Sequence, residues 1–443
     1  MTRAERTAPP GVLAFRYVSL RSTDGAMTIE KRASRLLLAC LPSLLCTSLL
    51  LAQAPEAVLQ DLQVDVVYLA SDLLEGRETG TPGERLAARY IATRFAALSL
   101  TPAGAGGDWF QPFDFRFSAN PHAPAGDGEP RTGHNVAGLL DNGAARTVIV
   151  GAHYDHLGYG GFGSRQPGEA LIHNGADDNA SGVAALFEIA RQLKASDARR
   201  NNYLFIAFSG EELGLYGSKH FIQSPTQPRS TMNYMINLDM VGRLGEERAL
   251  AVNGTGTSPA WSAALDRAAA ATHLDVKKHA SGLGPSDHAA FYLEAMPVLH
   301  LFTGQHADYH KSTDDSHLIN YEGLYDVASF AVQVVEALDD EGALAFMKTQ
   351  DEDQSRRTAF KVSLGVMPDY VSDGEGVRID AVLDGRPAAA AGLQKGDVVI
   401  RLGEVDVTDI NAYMEALAQF EEGDATTIVV KRGDEVIEKK VQF

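Results

Sequence analysis

Thr147-Val148-Ile149-Val150-Gly151-Ala152, running directly into His153-Tyr154-Asp155, is the stretch that decides how this chain folds. Six residues with no polar alternation read as a strand buried on both faces, and the polar residues begin where that strand must end. A loop follows, then a helix over Ser181–Lys194. The same unit recurs downstream. Tyr203–Phe208, Tyr234–Leu238, Ala249–Val252 and Val298–Phe302 read as strands, with helices reaching about Ile222 and around 258–272 and 322–338. Continuous apolar strands alternating with helices predict an α/β domain with a mainly parallel sheet and helices on both faces. Upstream, Leu62, Val66, Leu69 and Leu73 recur at helical spacing. Pro82-Gly83-Glu84 opens a second helix through Phe95 and Leu98, and 119–134 reads as a Pro/Gly/Asp-rich surface loop.

Four polar motifs stand at or just past strand ends: His153-Tyr154-Asp155, Ser209-Gly210-Glu211-Glu212, Asp239, and Tyr309-His310. Sheets of this kind gather function at the carboxyl ends of their strands, so these distant residues are expected to converge. A fifth motif, Asp177-Asp178-Asn179, lies in the loop before a helix and can join them. Two histidines and several carboxylates without a cysteine suit a hydrolytic zinc site. Two Zn²⁺ bring four positive charges, which three carboxylate ligands and one bridging hydroxide balance. Adjacent Glu211 and Glu212 suit a division of labour, one ligating while the other handles the proton. Gly158-Tyr159-Gly160-Gly161-Phe162-Gly163 matches a dinucleotide-binding pattern, but Pro167 and Gly168 follow instead of a helix, so that reading fails. Ser286-Asp287-His288 are consecutive and cannot form a catalytic triad. His156 and His173 are placed close to the site as supporting residues, and His306 on its substrate side.

With these motifs the segment from about 60 to 340 resembles the co-catalytic two-zinc aminopeptidases, the family of bacterial leucyl aminopeptidases and aminopeptidase Y, related to glutamate carboxypeptidase. The resemblance rests on Gly151–Asp155, Gly175–Asn179, Gly210–Gly214, Asn237–Met240 and Asp308–His310, and on the stretch 74–83. It implies two zinc ions per chain, with His153 and Asp239 on one, Glu212 and His310 on the other, and Asp177 bridging. It implies Glu211 as general base acting on a metal-bridging hydroxide, Asp155 as the residue orienting His153, and Tyr309 as a donor to the oxyanion. It also implies a cis peptide between Asp177 and Asp178. Glu211 and Asp239 would attract a free ammonium, which favours hydrolysis of N-terminal peptide bonds. A carboxypeptidase, a glutaminyl cyclase on the same fold and a metal-free peptide-binding protein are the alternatives; the acidic Asp177-Asp178 pair and the complete ligand set weigh against the last two.

The flanking segments fill out a secreted, two-domain plan. Residues 1–54 read as a signal-peptide region with Met27 as a candidate true start: Lys31, Arg32 and Arg35 precede an apolar run from Leu36 to Leu51. That implies a secreted or periplasmic protein with no stable membrane span after cleavage. Cys40 and Cys46 both lie within this region, so the mature chain would have no disulfide. The zinc peptidase domain is assigned to 58–345 and a linker to 346–358, with a small β-rich domain at 359–443. Ser363–Val366, Gly376–Asp380, Arg386–Leu393 and Lys395–Ile400 make that last domain similar to the PDZ domains of periplasmic serine proteases. The similarity implies that Leu364, Gly365 and Val366 offer backbone N–H groups to a peptide's C-terminal carboxylate, with the peptide added as an edge strand. A formal charge of −19 with no basic stripe argues against a nucleic-acid partner.

Overall fold

A computed structural model describes residues 54–117, 128–161, 163–166, 170–349, 362–368, 376–382, 385–408, 410–433 and 435–443. The segment read as a signal-peptide region therefore lies outside the described residues up to residue 53, with both cysteines.

The first domain is built on a nine-stranded sheet in the order β1-β3-β5-β4-β6-β9-β7-β8, with β2 paired to β3. These are Thr101–Pro102 (β1), Phe110–Phe117 (β2), Glu129–Leu140 (β3), Thr147–His153 (β4), Asn202–Phe208 (β5), Met232–Leu238 (β6), Ala249–Asn253 (β7), Asp275–Lys278 (β8) and Val298–Phe302 (β9). The four central strands β5, β4, β6 and β9 run parallel, and antiparallel strands flank them on both sides. Val148, Ile149 and Val150 of β4 are wholly buried, as are Leu204–Phe208 of β5, which is what strands covered on both faces require. The parallel arrangement is the one read from the sequence. Residues 129–134 do not belong to a loop: they open β3, whose hairpin with β2 pairs Phe117 with Glu129.

Helices Glu56–Leu69 (α1), Pro82–Ala97 (α2), Gly182–Ala195 (α3), Trp261–Thr272 (α5) and Tyr321–Ala337 (α7) pack into one large apolar core, while Tyr216–Gln223 (α4) and His288–Tyr292 (α6) cover the second. α2 starts on Thr81, whose hydroxyl accepts from the Glu84 amide at 3.3 Å, with Pro82 in the first turn. Leu73, expected on the buried stripe of α1, is exposed, because that helix stops at Leu69 and the chain turns through Asp72–Arg77 instead. No described helix is long and apolar enough to cross a membrane.

The chain stays on the first domain further than the expected boundary at residue 345. Phe346 packs against Tyr292 with ring centroids 5.6 Å apart, the Met347 amide donates to Thr257 O at 2.7 Å, and the Thr349 amide donates to the Tyr292 hydroxyl at 2.9 Å. Residues 350–361 are outside the described set. The C-terminal domain is a separate six-stranded sheet: Val366–Pro368 (β10), Val377–Val382 (β11), Val398–Leu402 (β12), Val405–Asp406 (β13), Ala425–Arg432 (β14) and Glu435–Gln442 (β15). It has its own core around Leu364, Ile379, Val399, Leu402, Ala416 and Val430.

Candidate metal centre

The sheet register brings the sequence motifs to one edge. His153 at the end of β4 pairs with Phe208 at the end of β5, and the Asp239 amide, just past β6, donates to Leu301 O of β9 at 3.2 Å. Glu211 and Glu212 follow β5 on the turn leading to α4. Asp177 and Asp178 enter from the irregular turn Ala176–Ser181 ahead of α3. Gly182 closes that turn against β6, where a Cβ would stand 2.3 Å from Asn179 Oδ1 and 2.7 Å from Leu238 O.

Two sets of donors result, and Asp178 belongs to both. His153 Nε2 lies 3.3 Å from Asp178 Oδ1 and 3.3 Å from Asp239 Oδ1. His310 Nε2 lies 3.1 Å from Asp178 Oδ2 and 3.3 Å from Glu212 Oε2. Charge-assisted hydrogen bonds close to about 2.7–2.9 Å, so these separations are long for direct pairing. Ligands about 2.0–2.1 Å from a tetrahedral zinc stand about 3.3 Å apart, which is the spacing seen. The donor set, imidazole nitrogen and carboxylate oxygen without sulfur, also suits that ion. The residues present fit two metal positions.

The bridging position is therefore not that of Asp177. Its Oδ1 accepts from the Gly242 amide at 2.7 Å and its Oδ2 faces His306 Nε2 at 3.2 Å, and it belongs to neither group of potential metal donors. Successive side chains of this turn point in different directions, and it is the second aspartate that faces the imidazoles. The cis peptide expected between Asp177 and Asp178 is found one residue later, between Asp178 and Asn179. Asp155 stands at the second nitrogen of His153, as expected, but meets it more closely through its backbone than through its carboxylate. The group nearest His153 Nδ1 is the Asp155 backbone carbonyl, at 3.2 Å, while its carboxylate is 3.8 Å away. That carboxylate instead accepts from the amides of Glu211 (3.1 Å) and Glu212 (3.4 Å) and from Thr79 Oγ1 (3.0 Å). Asp155 thus shapes the turn that carries both glutamates.

Electrostatics divides the two glutamates. Burial, reinforced by Asp239 and by Glu212 itself, pushes the Glu211 carboxyl well above the usual range, against the pull of His153. Burial acts on Glu212 too, but the charge of His310 and hydrogen bonds from His156 and His310 hold it down at about 2. Paired carboxyls pushed apart in this way are suited to different tasks, one to carry a proton and one to stay ionised. Burial would lower His310, yet Glu212 and Asp178 raise it to about 11. Tyr309 stacks on His310, with centroids 3.8 Å apart, and carries Arg165 over its other side at 4.6 Å. Burial and the surrounding carboxylates keep its phenol protonated and able to donate.

Sequence reasoning missed Asp314 and Arg77, and placed His156 beside the site without its partner. Asp314, fully buried, accepts from the amides of Asp177 (2.9 Å) and Asp178 (3.0 Å) and so fixes the turn that aims Asp178. Arg77, also buried, donates to the carbonyls of Tyr154 (2.7 Å), Asn174 (2.6 Å), Gly175 (2.9 Å) and Leu69. Burial lowers it only to about 10, leaving a positive charge beneath the acids. His156 donates to Glu212 at 2.8 Å. Arg77 lies in the 74–83 stretch that carried the resemblance, and Asp314 is an acid four residues beyond His310, but neither position disclosed its partners. His173 is tied to Ser164 and Leu171 O, and His306 pairs with Asp177. His288 and His300 stack 4.5 Å apart in the interior. The next described helical turn after Gly163 begins only at Ala176, so no helix supports the dinucleotide pattern.

In the C-terminal domain the Leu364-Gly365-Val366 corner is only partly as expected. Leu364 is buried in the core and its carbonyl accepts from Ala388 at 2.9 Å. The Gly365 amide, expected to be free, donates to Ser363 Oγ at 3.1 Å. Gly365 sits at φ +73°, with Arg386 where its side chain would be.

Two stretches of the chain match known protein families. Residues 135–335 match the model of peptidase family M28, and residues 350–443 match a PDZ domain. Aminopeptidase YwaD of Bacillus subtilis is 38% identical over 103 residues, which is 23% of this chain and 19% of that protein. The alkaline phosphatase isozyme conversion protein of Escherichia coli is 31% identical over 172 residues, 37% of this chain and 46% of that protein. The chain thus spans less than half the length of either relative. Among solved structures, a zinc aminopeptidase from Bacillus subtilis superposes with a TM-score of 0.50 at 19% identity, covering 65% of this chain and 95% of that one, a likeness of fold.

Proposed function

We propose that this chain, a member of peptidase family M28 that carries a PDZ domain at its C-terminal end, is a two-zinc aminopeptidase. The observation that carries the reading is Asp178, which offers one carboxylate oxygen to His153 and the other to His310. His153, Asp178 and Asp239 would hold one zinc, and Asp178, Glu212 and His310 the other. Zinc bound there would polarise the scissile carbonyl and make the attacking water acidic enough to react near neutral pH.

The protein's own groups do the rest. Glu211 takes the proton from the attacking water as its oxygen bonds to the carbonyl carbon. It returns that proton to the departing amine as the C–N bond breaks. The Tyr309 phenol donates to the carbonyl oxygen as negative charge gathers on it. Glu211 and Asp239 also offer negative charge to a free N-terminal ammonium, which favours exopeptidase action. The PDZ domain would hold a substrate or partner by its C-terminus, and the sequence of residues 1–54 supports export to the periplasm or medium.

Aminoacyl anilides and C-terminally varied dipeptides, with and without chelator, test the assignment. Anilide hydrolysis lost on chelation, with about two zinc ions per chain by elemental analysis, is the expected outcome. One tightly held zinc in a fully active preparation points to a cyclase-like site instead. Cleavage only of dipeptides according to their C-terminal residue points to a carboxypeptidase.

A further inference from the structure

We propose that His156 is a positioning residue that holds Glu212 so that a single carboxylate oxygen faces the second metal position; this rests on the two-metal reading above. Glu212 is held at both ends. Its Oε2 faces His310 Nε2 at 3.3 Å, and its Oε1 accepts a hydrogen bond from His156 Nδ1 at 2.8 Å. One oxygen is thereby directed at the metal position and the other tied back into the protein.

His156 could instead be read as a third imidazole ligand, since its Nδ1, Asp178 and Glu212 are close enough to surround an ion. The distances decide against that. His156 Nδ1 is 3.9 Å from Asp178 Oδ2, longer than the edge of about 3.3 Å between ligands of a tetrahedral zinc. Its 2.8 Å contact to Glu212 is a hydrogen-bond length and runs to the oxygen that His310 does not face. His310 meets both carboxylates at 3.1–3.3 Å, so the ligand geometry belongs to His310.

The slot for His156 is built into the backbone. Gly175 adopts φ +55°, and a Cβ there would stand 2.5 Å from His156 Cδ2 and 2.6 Å from its Cγ. The ring is fully buried and its Nε2 has no hydrogen-bond partner among the described residues, so the single directional bond it makes goes to Glu212. A ring fixed in this way presents Nδ1–H in one direction and limits the swing of Glu212 toward two-oxygen contact. Groups that orient a ligand in this manner commonly change metal affinity about 10–100-fold when removed.

Zinc titration of metal-free protein against a chromophoric chelator tests this without reference to turnover. Wild type is expected to show two sites. His156→Ala should weaken the second site about 10–100-fold while leaving the first within a few-fold. His156→Asn, whose amide N–H stands close to where Nδ1–H stood, should recover most of that affinity. Unchanged second-site affinity in His156→Ala overturns the proposal. So does a His156→Asn variant as weak as alanine, since the imidazole would then act as ligand or filler. If His156→Ala does not fold, by circular dichroism of the metal-free protein, the asparagine variant decides alone: near-wild-type affinity supports the role and a weak second site overturns it. A single zinc site in wild type defeats the two-metal reading itself, an outcome separate from either variant result.

Discussion

Replacing Asp177 and Asp178 by asparagine, one at a time, separates the two readings of the Asp-Asp pair. Asp178 stands within 3.3 Å of two imidazoles that face different metal positions, and Asp177 faces neither set. Asp178→Asn removes a negative charge shared by two cations and replaces one oxygen by an amide that cannot ligate. Outer-shell groups alone are worth about 10–100-fold in metal affinity, so loss of a direct bridging ligand should exceed about 100-fold for at least one zinc. Asp177→Asn keeps an oxygen for the Gly242 amide, which donates at 2.7 Å, and weakens only the contact to His306. Its cost belongs with one altered hydrogen bond to a charged group, about 1.5–3 kcal/mol of stability at most, with metal affinity changed less than about 10-fold. Competitive zinc titration gives the affinities, and thermal unfolding of the metal-free proteins gives the stability difference. If Asp177→Asn sheds zinc while Asp178→Asn holds two ions as wild type does, the geometric argument for Asp178 is wrong.

Within Glu211-Glu212, Glu211→Gln should keep both metals and lose about 10²–10⁴-fold in kcat, whereas Glu212→Ala should lose metal together with activity; metal analysis alongside kinetics reverses the roles if the pattern is reversed. A chain ending at Gln350 keeps the contacts of Phe346 and Thr349 with Tyr292 and should hydrolyse a small anilide at the full-length rate, while one ending at Glu341 loses them and should unfold at a lower temperature. Loss of anilide turnover in the folded longer chain would mean that the PDZ domain shapes the active site. Burial lowers His300 to about 4 and holds His288 well below its ordinary value, so the unfolded state takes up protons first as pH falls below about 6.5 and stability drops. His300→Gln should make that acid sensitivity of metal-loaded protein shallower by about one proton, or about 1.4 kcal/mol per pH unit between pH 6 and 4.5, read from denaturant unfolding; an unchanged slope would show that His300 does not contribute.

The sheet was legible because its strands carry their burial in their composition. β4, β5, β6 and β9 are apolar runs bounded by polar residues, and a strand covered on both faces has few other ways to look. The segment at 129–134 was not legible for the opposite reason. Glu129, Pro130, Arg131 and Thr132 belong to an outer antiparallel hairpin, where exposure permits turn-like composition and the pairing partner alone, Phe117 to Glu129, makes the strand. Leu73 shows the same limit in a helix: its spacing fits α1, but the residues between it and Leu69 turn away, and nothing in a periodicity registers where a helix stops.

At the site, the sequence located the motifs and left the aim of each side chain undetermined. Position relative to a strand end is a one-dimensional property, which is why His153, Glu211, Glu212, Asp239 and His310 could be gathered from spacing and resemblance. Which of two adjacent aspartates faces the imidazoles depends on backbone angles in an irregular turn, and those angles are set by partners far along the chain. Asp314 holds the turn by its amides from 136 and 137 residues away, and Gly242 takes the Asp177 carboxylate from 65 residues away. Arg77 adds a buried cation whose hydrogen bonds all go to carbonyls, so no acidic partner in the sequence announces it. The same holds for His156: its proximity to Asp155 is visible in the sequence, but its bond to Glu212 exists because β4 and β5 end in register and Gly175 leaves room for the ring. Ligand identity is thus written locally, while ligand direction is supplied by the fold around it.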